Sequence, residues 1–234
     1  RSIAGELLWF IEGSQDERRL AEITHGTRNS TKKTIWTDNA NASYWKERAK
    51  FEGDVGRIYG VQWRGWRKPM ADQGERGHKS IDQLKDVVDK LKHDPTSRRI
   101  LMSALNIGEY DEMSLPPCHC LVQFYVRNGS LDAQVYQRSV DTFLGLPYNI
   151  ASYALLLHML AQVTKLKPGK LKMVLGDTHI YQNHIDQVIE QLSREPFKLP
   201  RLKINENVVE IDDFKLSDFT LDNYEYHPSI KAVM

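Results

Sequence analysis

Leu121 to Gln137 reads LVQFYVRNGSLDAQVYQ: two apolar-rich runs, Leu121 to Val126 and Leu131 to Gln137, flank Asn128-Gly129. Asn-Gly suits a two-residue hairpin turn because both central positions of that turn need positive φ. The stretch therefore predicts a hairpin that places two strands back to back. Outward from it, Ile100 to Ala104 reads as a buried strand and Leu171 to Leu175 as another. Helices fill the intervals. Ile3, Leu7, Leu8 and Ile11 recur at helical spacing, which predicts a helix over Ser2 to Glu12 ended by Gly13. Ile81, Leu84, Val88 and Leu91 form a second helical face, stopped by Asp94-Pro95. Asn149 to Thr164 and Tyr181 to Arg194 add two more helices. Strands and helices that do not alternate strictly indicate an α+β fold.

The chain has 234 residues, 41% hydrophobic and 27% charged, enough for one substantial core, so residues 1–234 are expected to form a single domain. A formal net charge of +1 argues against a protein built around non-specific nucleic-acid binding, which needs an excess of Lys and Arg to replace counterions. Ile150 to Val163, the most apolar long segment, carries His158 and Gln162 and falls short of the roughly 20 residues that cross a bilayer. It reads as a core helix. The two cysteines, Cys118 and Cys120, are a poor disulfide framework and point to a reducing, cytoplasmic location. His25 to Lys33, polar and mildly basic, reads as a solvated surface loop.

Chemistry concentrates in three stretches. Leu115-Pro116-Pro117-Cys118-His119-Cys120 holds a cysteine in a stiff turn before a strand. Adjacent Cys-His-Cys lacks the spacer that lets ligands wrap a tetrahedral zinc, so no metal is expected; taken alone, the pair reads as two inert core thiols. Gln137-Arg138-Ser139-Val140-Asp141, then Gly145-Leu146-Pro147-Tyr148-Asn149, crowds a guanidinium, a carboxylate and an amide around a turn leading into an apolar helix. Such crowding calls for a ligand. Gly176-Asp177-Thr178-His179-Ile180-Tyr181 places His179 and Tyr181 two apart after a strand, where both can project to one side.

At these residues the sequence resembles the thymidylate synthase family. The resemblance rests on Glu6 to Phe10, Ile35-Trp36, Tyr59 to Arg64, Ser97-Arg98-Arg99, Pro117-Cys118-His119, Gln123 to Val126, Tyr136 to Asp141, Leu144 to Tyr153, Gly176 to Tyr181 and His227-Pro228, and runs the length of the chain. It implies a mixed twisted sheet covered by helices on one face, with the opposite face packed on a second copy in a homodimer. The implied reaction is reductive methylation of dUMP to dTMP with 5,10-methylenetetrahydrofolate as co-substrate. Two alternatives keep the same fold: a dUMP hydroxymethylase, in which water quenches the methylene, and an inactive nucleotide-binding homologue.

Residue roles follow from the same resemblance. Cys118 would be the thiolate that adds to carbon 6 of uracil, turning carbon 5 into a nucleophile. Arg138 would lower the thiol's pKa and bind phosphate, with Ser139 beside it and Arg98 and Arg99 reaching the phosphate of the other subunit. Asn149 would offer an amide oxygen to the ring N–H and an amide N–H to the ring carbonyl. His179 and Tyr181 would contact the ribose 3′-hydroxyl. Glu6 would handle protons from a buried position, and Tyr59 and Asp141 join the catalytic set. Trp36, Asn39, Asp141, Leu144, Gly145 and Tyr148 would form the folate slot. Three positions depart from the family pattern: Thr37 where aspartate is usual, Arg57 where proline is usual and Leu105 where tryptophan is usual. An opening segment with a further arginine is expected but not seen, and Ile230 to Met234 looks about two residues short.

Overall fold

The computed structural model describes residues 1–69 and 78–232. In chain order its helices and strands are α1 (Ser2–Ile11), α2 (Glu17–His25), α3 (Thr37–Asn41), α4 (Ser43–Lys46), α5 (Tyr59–Gly65), β1 (Trp66–Pro69), β2 (His78–Ile81), α6 (Gln83–His93), β3 (Leu101–Ser103), β4 (His119–Arg127), β5 (Ser130–Asp141), α7 (Leu146–Val163), β6 (Lys167–His179), α8 (Ile185–Leu192), β7 (Arg201–Ile204) and β8 (Phe219–Asp222). Val233 and Met234, the end of the segment that reads as short, lie outside the described residues.

The Asn128-Gly129 turn is present, with φ of 51° and 74°, and pairs β4 with β5 in antiparallel register, Val122 opposite Val135 and Phe124 opposite Ala133. β3 adds antiparallel to β4, and β6 adds parallel to β5, so the four-stranded sheet β3-β4-β5-β6 is mixed. One face is the core side. Val122, Phe124, Leu131, Ala133 and Val135 are buried on it, and α7 packs across β5 and β6. From Tyr153 onward α7 is largely buried, with α1 packed against it. α1 buries Leu7, Leu8, Trp9, Phe10 and Ile11 and is the central helix of the molecule. Its approach to α5 depends on Gly60, where a Cβ would stand 2.3 Å from the Phe10 carbonyl oxygen. The other sheet face carries Leu101, Leu121, Tyr125, Tyr136 and Val174, all exposed.

The α+β reading holds, with corrections in the elements. β3 is shorter than Ile100 to Ala104. β6 extends far beyond Leu171 to Leu175 and includes Gly176 to His179, so His179 ends a strand rather than following one. Tyr181 to Arg194 is not one helix: a 3₁₀ turn at Gln182–His184 precedes the shorter α8. α2 and α5 are helices beyond those the sequence pattern predicts. Among the described residues no helix is long and apolar enough to cross a membrane.

Candidate active site

Cys118 closes the Pro116-Pro117 turn just before β4, and backbone bonds on both sides fix it. Its amide N–H donates to Tyr59 Oη at 2.8 Å, and its carbonyl accepts from Arg138 N at 2.8 Å. The β4–β5 register shifts between His119 and Leu121, a bulge at Cys120 that turns both His119 and Cys120 inward. A bulge is a common way to re-aim side chains beside a site. The Arg138 guanidinium lies behind the turn, with Nε donating to Pro117 O at 3.0 Å and Nη2 to Pro116 O at 2.8 Å. Burial pushes the Cys118 thiol above its ordinary range, and the nearby Arg138 charge offsets only part of this. Arg138 acts in the expected direction, and burial outweighs it. The guanidinium spends Nε and Nη2 on carbonyls, while the half-buried thiol loses its hydration.

Beneath the thiol lies an aromatic floor. The Tyr59 ring stacks on Phe10 at 4.9 Å, sits 4.1 Å from the His119 ring and meets Trp36 edge-on at 5.9 Å. Burial holds the Tyr59 phenol neutral, well above its usual pKa. His119 Nδ1 is 2.8 Å from Tyr153 Oη, and burial pushes its pKa down to about 3, so the ring is uncharged near neutrality. Glu6, half-buried on α1, accepts from Trp36 Nε1 at 2.7 Å. Burial raises it to about 7, against a smaller opposing effect of that bond. A carboxyl titrating there can act as a general acid or base near neutrality.

The opposite wall comes from the end of β5 and the start of α7. Buried Gln137 donates from Nε2 to Asn149 Oδ1 at 2.9 Å and to Ser139 O at 3.1 Å, while its Oε1 is buried without a partner among the described residues. Asp141 Oδ1 accepts from the N–H groups of Phe143 and Leu144, which shapes the turn into α7. Strand register sets Asp141 opposite His179, whose ring meets Tyr181 edge-on at 5.1 Å.

These walls enclose a cavity of about 550 Å³. Of the anticipated residues, Glu6, Trp36, Tyr59, Cys118, Ser139, Asp141, Leu144, Gly145, Tyr148, Asn149, His179 and Tyr181 line it. Arg138, Asn39, Arg98 and Arg99 do not. Asn39 sits on α3, and the two arginines are exposed between α6 and β3. The cavity also takes in Thr24, His25, Lys33 and Thr34, so part of what reads as a plain solvated loop forms its rim. Thr37 turns away: its hydroxyl donates to the buried Glu17 carboxylate at 2.6 Å, and that carboxylate also receives Thr34 Oγ1. Arg57 replaces the expected proline as a buried partner of Glu109. The half-buried Leu105 offers its carbonyl to Ser103 Oγ; nothing in the structure explains the choice of side chain. Among the described residues, no group of three or more His, Cys, Asp or Glu side chains gathers to hold a metal ion. A family model described as thymidylate synthase matches residues 1–234.

Proposed function

The chain belongs to the thymidylate synthase family, and from that premise we propose that it makes dTMP from dUMP and 5,10-methylenetetrahydrofolate through a covalent adduct on Cys118. The observation that carries this reading is the convergence of Cys118, Tyr59, Glu6 and Asn149 on one cavity. The Cys118 thiol loses its proton and its sulfur bonds to carbon 6 of uracil, which moves the ring electrons onto the carbon 4 oxygen. Carbon 5 then attacks the methylene carbon of the folate. Loss of the carbon 5 proton and departure of the folate nitrogen leave an exocyclic methylene. Hydride from the folate quenches the methylene as the sulfur leaves, giving dTMP and dihydrofolate.

This chain's groups suit those steps. Glu6, titrating at about 7, can give and take protons through water at the carbon 4 oxygen and the folate nitrogen. Tyr59 stays neutral and lies next to the nucleophile, so it can relay the carbon 5 proton only by passing on its own. Asn149 Oδ1 already accepts from Gln137, which orients the amide, and its second lone pair remains for the ring N–H. Among the described residues Arg138 makes no hydrogen bond through Nη1, which leaves that group for the nucleotide phosphate beside Ser139. Trp36, Leu144, Gly145 and Tyr148 would bound the folate slot, which Asn39 does not line. The exposed apolar sheet face supports a homodimer, in which Arg98 and Arg99 would reach the partner's phosphate site. The free thiols of Cys118 and Cys120 favour the cytoplasm.

The test is stoichiometric. Incubation with dUMP and methylenetetrahydrofolate should yield one dihydrofolate per nucleotide product. Hydroxymethyl-dUMP formed without dihydrofolate would replace hydride by water in the last step, and no product at all would point to a binding protein.

A further inference from the structure

We propose that the buried Arg57–Glu109 pair positions the nucleophile turn, by holding Tyr59 where its hydroxyl fixes the Cys118 amide; the catalytic half of this inference rests on the function proposed above. Two segments meet here, one carrying Tyr59 and the other leading to Cys118. Arg57 Nε donates to Glu109 Oε2 at 2.7 Å, and Arg57 Nη2 donates to Gly65 O at 2.6 Å. Gln62 Nε2 donates to the same Glu109 oxygen at 2.7 Å and also to the Arg57 carbonyl at 2.7 Å. Together these bonds close a ring of side chains around residues 57 to 62, with Glu109 as the anchor. Tyr59 lies inside that bracket.

The bracketed residue is strained. Tyr59 has φ of 21°, a region that side-chain-bearing residues occupy only where their surroundings hold them. Downstream of it, Gly60 is seated against the Phe10 backbone; upstream, Arg57 N donates to Glu112 O at 2.8 Å. Side-chain exposure of Arg57 and Glu109 is 11% and 8%, so the pair has given up most of its hydration. Arg67 stands 3.5 Å from the second Glu109 oxygen. Buried ion pairs are commonly replaceable by apolar residues of similar volume without loss of stability. What apolar side chains cannot supply is the direction of the guanidinium fork. The bracket also leaves Gln62 Oε1 buried without a partner among the described residues. We read that unmet acceptor as a cost accepted for geometry.

The experiment compares the full chain with the Arg57→Met/Glu109→Met double variant, which keeps volume and removes both charges. Three quantities are read: thermal unfolding, kcat and KM for dUMP, and hydrogen exchange at the Cys118 amide. Positioning predicts a cooperatively folded variant whose KM stays within about twofold while kcat falls about tenfold to a hundredfold, as expected when reacting groups are displaced. Cys118 amide exchange should accelerate to the rate of Tyr59→Phe, which lacks the accepting hydroxyl. A folded double variant with unchanged kcat and unchanged Cys118 protection overturns the proposal. Should the double variant fail to fold, Arg57→Lys, which keeps the charge but loses the fork, carries the same comparison with the same two outcomes. If the unmodified chain makes no product from dUMP, the functional reading falls, and the exchange measurement alone decides whether the pair holds the turn.

Discussion

Cys118 and Cys120 are two residues apart yet differ in what surrounds them. Cys118 lines the cavity; the Cys120 thiol turns back toward the Cys118 carbonyl at 3.3 Å. Cys118→Ser should lose nearly all turnover while still binding dUMP, because a hydroxyl is a far weaker nucleophile near neutrality. Cys120→Ser should change kcat little, and equal losses in the two variants would assign the wrong thiol. Because burial outweighs Arg138 at Cys118, its alkylation by iodoacetamide in the free protein should keep rising with pH through 9 rather than level off near neutrality. Glu6 makes a stability prediction with a definite sign. Its carboxyl moves from 4.5 to about 7 on folding, so between those pH values the folded chain holds a proton that the unfolded chain has released. Stability from this group is complete below 4.5 and is lost as pH rises through 7, by at most about 3 kcal/mol. Glu6→Gln should therefore gain on the original protein between pH 5 and 8 in denaturant titrations. His119 runs the opposite way. Held near 3, it costs stability as pH falls below 6.5, and it does so equally in both proteins, so the difference isolates Glu6.

At the scale of elements, the proposed function makes the β5-to-α7 junction the place where the base is read. Gln137 on β5 sets the amide of Asn149 on α7, so Asn149→Asp should shift the ratio of specificity constants from dUMP towards dCMP, whose amino group a carboxylate can accept. An unchanged ratio would mean the ring is read by other groups. The α1–α5 contact gives a packing prediction: Gly60→Ala places a methyl on the Phe10 backbone and should destabilise by about 1 to 3 kcal/mol in urea unfolding. Some of these elements were legible in the sequence and some were not, for physical reasons. The hairpin was, because Asn128-Gly129 states the turn's φ requirement directly. α2 could have been read, since Asp16 caps its start by accepting from Arg18 N and Gly26 ends it at φ 87°, but its apolar face is short. The sequence pattern shows only part of β6 because Pro168 and Gly169 look like breakers; among the described residues they lie on a strand that pairs only with β5, where a missing N–H costs little. The cavity-lining groups at Cys118, Asn149 and His179 stood out through dense motifs. The Arg57–Glu109 bracket did not, because no local pattern joins two residues 52 apart in sequence.

At the scale of the whole molecule, one chain's cavity is well supplied with groups for a base and, among the described residues, poorly supplied with free cations for a phosphate. Arg138 has spent two of its nitrogens on the proline carbonyls, and the side chains of Arg98 and Arg99 make no hydrogen bond or ion pair among the described residues. Those two arginines follow α6 and lead into β3, at the margin of the sheet whose exposed face carries Leu101, Leu121, Tyr125, Tyr136 and Val174. A twofold dimer through that face would cover the apolar side chains and could bring each arginine pair to the other subunit's cavity. The expectation is testable without a structure of the dimer. Cys118→Ala should be inactive and Arg99→Ala weakened in dUMP binding. In a mixed dimer, the site whose thiol comes from the Arg99→Ala chain would take its arginine from the Cys118→Ala chain and be intact, while the other site carries both defects. Random exchange of equal amounts makes half the dimers mixed, each with one whole site, so about a quarter of the original activity should return. Mass spectrometry of differently tagged chains reports whether exchange has occurred. If mixed dimers form and activity stays at the average of the two parents, each cavity must bind phosphate with its own residues, Arg138 Nη1 and Ser139 among them.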